Sequence, residues 1–115
     1  MTMALSADAA GQPPAGLDER DVRALTEYLT VLADVGRVRG ADDLFLVVSE
    51  SGSEYLVDAR GGRCDCPDAE HRGARCKHLR RVALATGARP VPVGADSLGV
   101  DPQLGMHVDG GPADE

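Results

Sequence analysis

The chain has 115 residues and a formal net charge of −7, and its 3% of aromatic residues are Tyr28, Phe45 and Tyr55, with no tryptophan. This length builds one small domain whose core is short of large side chains, so a metal is the expected supplement to burial. Three cysteines exclude a fully paired disulfide scaffold, no apolar run follows a basic start, and no stretch is apolar for the length of a bilayer, so a cytoplasmic protein with reduced thiols and no membrane partner is expected.

Residues 1–16, rich in Ala, Ser, Pro and Gly, read as a disordered leader. In residues 17–41 an amphipathic stripe of Val22, Leu25, Leu29 and Leu32 predicts a helix, with Asp18, Glu19 and Asp21 at the end where negative charge is favoured. Its second half is open. Thr26, Tyr28, Thr30, Val31 and Val35 are strand formers, so the helix can give way near Glu27 to a strand from about Tyr28 to Ala33. Gly36 to Asp43 is a connector.

The central domain is expected over residues 42–89. Leu44–Val48 and Tyr55–Val57 are apolar runs around a turn at Glu50–Ser53 and read as a β-hairpin. Gly61 and Gly62 make a second turn, which delivers Cys64 and Cys66 on an extended segment closed by Pro67. Leu79, Val82, Ala83 and Thr86 form a helical face ended by Gly87. Residues 90–115 mix Pro, Gly and Asp with isolated Leu98, Val100, Leu104, Met106 and Val108, a tail that is either disordered or an extended strap.

All three cysteines and one of the three histidines fall in one array, Cys64-Asp65-Cys66 and Cys76-Lys77-His78, with nine residues between the pairs. Residues one apart on an extended chain face the same way, so Cys64 and Cys66 point together with Asp65 turned out. Cys76 and His78 open a helix, whose positive end favours a thiolate. Two such pairs suit a tetrahedral structural Zn2+. Chance clustering of core thiols, an iron–sulfur cluster and a catalytic zinc fit less well: no cysteine is spare, one ligand is His, and four protein ligands leave no open position. A thiol redox sensor built on Cys64 and Cys66 is a minor alternative. His71 reads as an exposed loop histidine, His107 as solvated, and Asp68 as a cap or a partner to a ligand.

The array Cys-x-Cys-x9-Cys-x-His, with the apolar hairpin before it, Cys66-Pro67-Asp68 after the first pair and Cys76-Lys77-His78-Leu79 opening a helix, resembles the SWIM-type zinc finger. The resemblance covers roughly residues 42–87. It implies that Cys64, Cys66, Cys76 and His78 are four zinc ligands in a ββα arrangement and that the module binds nucleic acid or protein. The partner domains found with the module in transposases, remodelling-type ATPases and signalling proteins are not seen in this sequence. The fold class expected is therefore α+β: a zinc-stabilised hairpin plus helix, an additional N-terminal helix, and flexible acidic ends.

Charge is unevenly spread. Arg60 to Arg89 holds eight basic residues against Asp65, Asp68 and Glu70, an excess of five, and leaves −12 on the remainder. Arg72, Arg75, Lys77, Arg80 and Arg81 surround the second ligand pair and form a candidate nucleic-acid-binding face, since guanidinium forks suit phosphate. A local offset to the thiolate charge explains the same residues without a partner. The acidic excess with a single lysine also resembles the proteomes of halophilic archaea. The functional expectation is binding, not catalysis, with no small-molecule substrate: a zinc module for DNA binding or regulation, or alternatively a protein-interaction adaptor whose helix or tail docks on a larger protein.

Overall fold

Asp18 starts the first helix, α1 (Glu19–Thr26). Its carboxylate accepts the Asp21 backbone N–H at 2.9 Å while the Asp21 carboxylate accepts the Asp18 N–H at 3.1 Å, a reciprocal cap that satisfies two donors otherwise left open. The chain turns extended at Glu27 and enters strand β1 (Leu29–Ala33). The apolar stripe is thus divided, Val22 and Leu25 lying on the helix and Leu29 and Leu32 on the strand. The computed structural model that shows this describes residues 16–105. The proposed leader, except Gly16, and Met106, His107 and Val108 of the tail lie outside those residues.

Strands β2 (Leu44–Ser49), β3 (Glu54–Asp58) and the two-residue β4 (Arg63–Cys64) follow, and the four strands form one antiparallel sheet in the order β1-β2-β3-β4. The predicted hairpin is its middle. Register aligns Ala33 with Phe45, Phe45 with Val57 and Val57 with Cys64, so one buried row runs across the sheet and ends on a thiol. Helix α3 (Lys77–Thr86) covers that face, packing Leu79 and Val82 on Leu29, Phe45, Val47 and Val57. On the opposite face, Leu46 is buried and its Cδ1 approaches a short 3-10 turn, Gly36–Val38.

One helix was not anticipated. The loop between the ligand pairs contains a short helix, α2 (Pro67–Arg72), with proline in its first turn and Gly73 ending it at φ 63°, a left-handed conformation that suits glycine. Residues 90–105 form the strap alternative. Two 3-10 turns, Ala95–Leu98 and Pro102–Gly105, bring Ala95, Leu98, Val100 and Leu104 onto Ala24, Leu25 and Leu84, a second small core between α1 and α3.

Candidate metal centre

Cys64 ends β4, Cys66 caps α2, Cys76 caps α3 and His78 lies in its first turn. Their ligand atoms all lie within 4.8 Å of one another and all four side chains are buried. His78 Nδ1 is 3.8 Å from both Cys64 Sγ and Cys76 Sγ. A zinc tetrahedron with a Zn–S bond of about 2.3 Å and a Zn–N bond of about 2.1 Å has an S···N edge of about 3.6 Å, close to these separations. The cysteines are free thiols.

Local structure explains how the pairs are aimed. Asp65 points outward, its carboxylate accepting the Leu56 N–H at 2.9 Å while its own N–H donates to Leu56 O at 3.2 Å. This clasp continues the β3–β4 pairing by one residue and holds Cys64 and Cys66 on the inner side. The Ala69 N–H donates to Cys66 Sγ at 3.5 Å. Cys66 is therefore both a candidate ligand and the cap of α2, with the helix N–H groups favouring its negative charge.

Three buried thiols packed together resist shared ionisation. A hydrogen bond to Cys76, followed by burial, pushes the Cys64 thiol well up; burial first of all pushes Cys66 up. Cys76 is drawn down to about 3, first by Cys64 and, against burial, by His78 and the Leu79 N–H. A dication lets all three become thiolates, and zinc, when bound, supplies that charge and ties β4 and α2 to α3.

The five residues proposed for a basic face do not share a surface. Arg81 is 1% exposed and belongs to the core. Its Nη1 donates to Ala24 O and Glu27 O at 3.0 Å each, its Nη2 to Leu29 O at 2.9 Å and to the Asp101 carboxylate. It cannot reach a phosphate, because its whole fork is spent on the end of α1, the start of β1 and the strap. Arg80 donates to Arg75 O, Asp18 and Asp21, and Lys77 pairs with Glu27. Arg72 and Arg75 are exposed and form no ion pair among the described residues. The carboxylates that answer this basic segment come largely from α1: Asp21 also takes Arg89 at 2.7 Å. In the reverse sense, Arg20 of α1 holds Asp68 of α2 by two bonds of 2.8 and 2.9 Å, which settles Asp68 as an inter-helix ion-pair partner.

His71 is exposed on α2, outside the ligand cluster. Asp101 was missed by sequence reasoning. Its carboxylate takes Arg81, the Leu29 N–H at 3.2 Å and the Gln103 side-chain amide at 3.1 Å. Among the described residues, no buried side-chain nitrogen or oxygen lacks a hydrogen-bond partner, and no helix is long and apolar enough to cross a membrane.

Residues 52–87 match the family model of the SWIM zinc finger. No curated protein and no solved structure matches the chain, and the archaeal origin suggested by its acidity finds no support in these comparisons. The match begins at the β2–β3 turn and ends at the glycine that stops α3, so it spans both ligand pairs, while α1, β1, β2 and the strap lie outside it. With its four ligand residues gathered in one buried cluster and matched by the family model, the segment 52–87 is a SWIM zinc finger.

Proposed function

We propose that this chain is a structural-zinc module that binds a protein partner and does no catalysis. The carrying observation is the fate of the basic segment: of Arg72, Arg75, Lys77, Arg80 and Arg81, the last is buried and two more are held by carboxylates of α1 or just after it. A −7 chain that spends its cations internally has little with which to displace counterions from a nucleic acid. Four protein ligands complete a zinc tetrahedron, which supports a structural ion and not a reacting one.

The surface offered to a partner is the groove between α1 and α2, about 1410 Å³, where Tyr28 is 56% exposed and Tyr55, Arg72 and Lys77 line the wall. The apolar side of α1 is covered by this chain's own strap, which favours the groove over that side as the docking surface. The test is affinity capture with the zinc-loaded chain beside Tyr28→Ala. A defined partner lost on substitution, with zinc retained, supports the reading; an unaltered partner set refutes the groove.

Nucleic-acid binding is the second reading, and it rests on Arg72 and Arg75. It expects DNA retention at low salt that falls steeply as salt rises and disappears in Arg72→Ala/Arg75→Ala. No retention at low salt removes it.

A further inference from the structure

The metal ligand His78 carries a neighbour that the ligand motif does not contain. Tyr55, on β3, lies with its ring 4.3 Å from the imidazole of His78, the two planes inclined by 28°. The sheet dictates this placement: Tyr55 is two residues from the fully buried Val57, on the face that α3 covers, and pairs across β2 with Val47. The stack joins strand to helix on the ligand ring itself.

An imidazole that offers Nδ1 to a metal must hold its plane at one angle, because rotation about χ2 swings Nδ1 away from the ion, and that torsion is broad in a free histidine. Ligating histidines are ordinarily fixed by a hydrogen bond from the other ring nitrogen to a carboxylate or carbonyl. Here His78 Nδ1 faces the Cys64 and Cys76 sulfurs at 3.8 Å, and no described protein group hydrogen-bonds the remaining nitrogen. Beyond those sulfurs, the flat contact with Tyr55 is the directional restraint on the ring plane among the described residues.

We propose that Tyr55 is a positioning residue for the metal centre, an aromatic wall that takes the place of the usual hydrogen-bonding partner of a ligating histidine. The inference rests on the reading of the cluster as a zinc site. It requires a flat ring and not a hydroxyl. Phenylalanine should therefore serve at residue 55, whereas leucine, apolar but not planar, should not.

The test measures zinc affinity by chelator competition and the visible spectrum of the Co2+-loaded chain for wild type, Tyr55→Phe and Tyr55→Leu. Tyr55→Phe is expected to hold zinc within about threefold of wild type, and Tyr55→Leu to lose roughly 10–100-fold, the range found when an outer partner of a ligand is removed. The Co2+ bands of Tyr55→Leu should change shape as the imidazole moves. Unchanged affinity and spectrum in Tyr55→Leu, or an equal loss in Tyr55→Phe, overturns the proposal while leaving the zinc site intact. A wild-type chain that binds no zinc overturns the zinc reading and this proposal with it. Should Tyr55→Leu fail to fold, proton NMR of the zinc-loaded wild type decides: His78 ring protons shifted upfield by the Tyr55 ring support the stack, and unshifted ones overturn it.

Discussion

Arg81 and Asp101 form an ion pair sealed inside the protein, their side chains 1% and 2% exposed, and it fastens the strap after the finger to the helix that carries the last ligand. A buried charge that loses its partner is costly, so Asp101→Ala is expected to destabilise the zinc-loaded chain by about 3–5 kcal/mol in urea unfolding. Arg81→Lys should cost at least about 2 kcal/mol, because an ammonium cannot serve three carbonyls and a carboxylate at once. A loss below about 1 kcal/mol in both would show that the pair is dispensable.

Metal removal should unmake the finger. Structural zinc in small domains contributes roughly 10–16 kcal/mol, more than a core this poor in aromatics can replace. Native mass spectrometry is expected to find one zinc per chain, and chelation to abolish the near-ultraviolet signal of Tyr55 and much of the helical circular dichroism. Cys76→Ser should behave as the chelated protein does. A chain that keeps its fold without metal would contradict this account.

The Asp21 carboxyl supplies a pH signature. Burial alone would raise its pKa, but Arg89, the Asp18 N–H and Arg80 together draw it from 3.8 to about 2. A depressed folded-state pKa stabilises above the unfolded value and loses that contribution as pH falls from about 4 towards 2, so the full effect, about 2 kcal/mol, is present at neutral pH. Asp21→Asn should show a deficit of that size, constant between pH 7 and 5. A deficit that varies across this interval would assign the effect to another group.

Gly73 ends α2 at φ 63° with open space around it, so the cost of a side chain there is backbone strain alone. Gly73→Ala is expected to lower stability by about 1 kcal/mol and to weaken zinc, because the chain leaves Gly73 directly for Cys76. The midpoint of thermal unfolding and chelator competition report the two effects separately. No change in either would mean that α2 is not a fixed part of the site.

The metal cluster was legible because ligation demands particular atoms: only Cys and His supply them, and spacing alone placed Cys64 and Cys66 on one side of a strand and Cys76 and His78 at a helix start. The hairpin was legible from its apolar runs and the turn between them. The α1–β1 junction was legible as one of two alternatives, a helix ending near Glu27 and a strand from about Tyr28 to Ala33, and the structure has that one; the anchoring of the Leu29 amide and carbonyl by Asp101 and Arg81, partners 72 and 52 residues away, lies beyond any local pattern.

Arg81 was misread for a related reason. Arginines at a helix start suggest a wet surface, yet Arg81 lies three residues after His78, and positions three apart share a helix face. A ligand that must point inward carries its neighbour inward with it. That signal was present in the sequence, but the partner that makes a buried arginine tolerable, Asp101, sits in a stretch with no pattern of its own.

The hydrogen bonds of Arg81 also bear on whether the finger can be isolated. A finger cut at residues 52–87 would lose Ala24, Glu27, Leu29 and Asp101, the groups that receive this arginine and help to bury it. Expressed alone, the segment would present a bare guanidinium where this chain has a sealed ion pair, so the helix, first strand and strap belong with the finger.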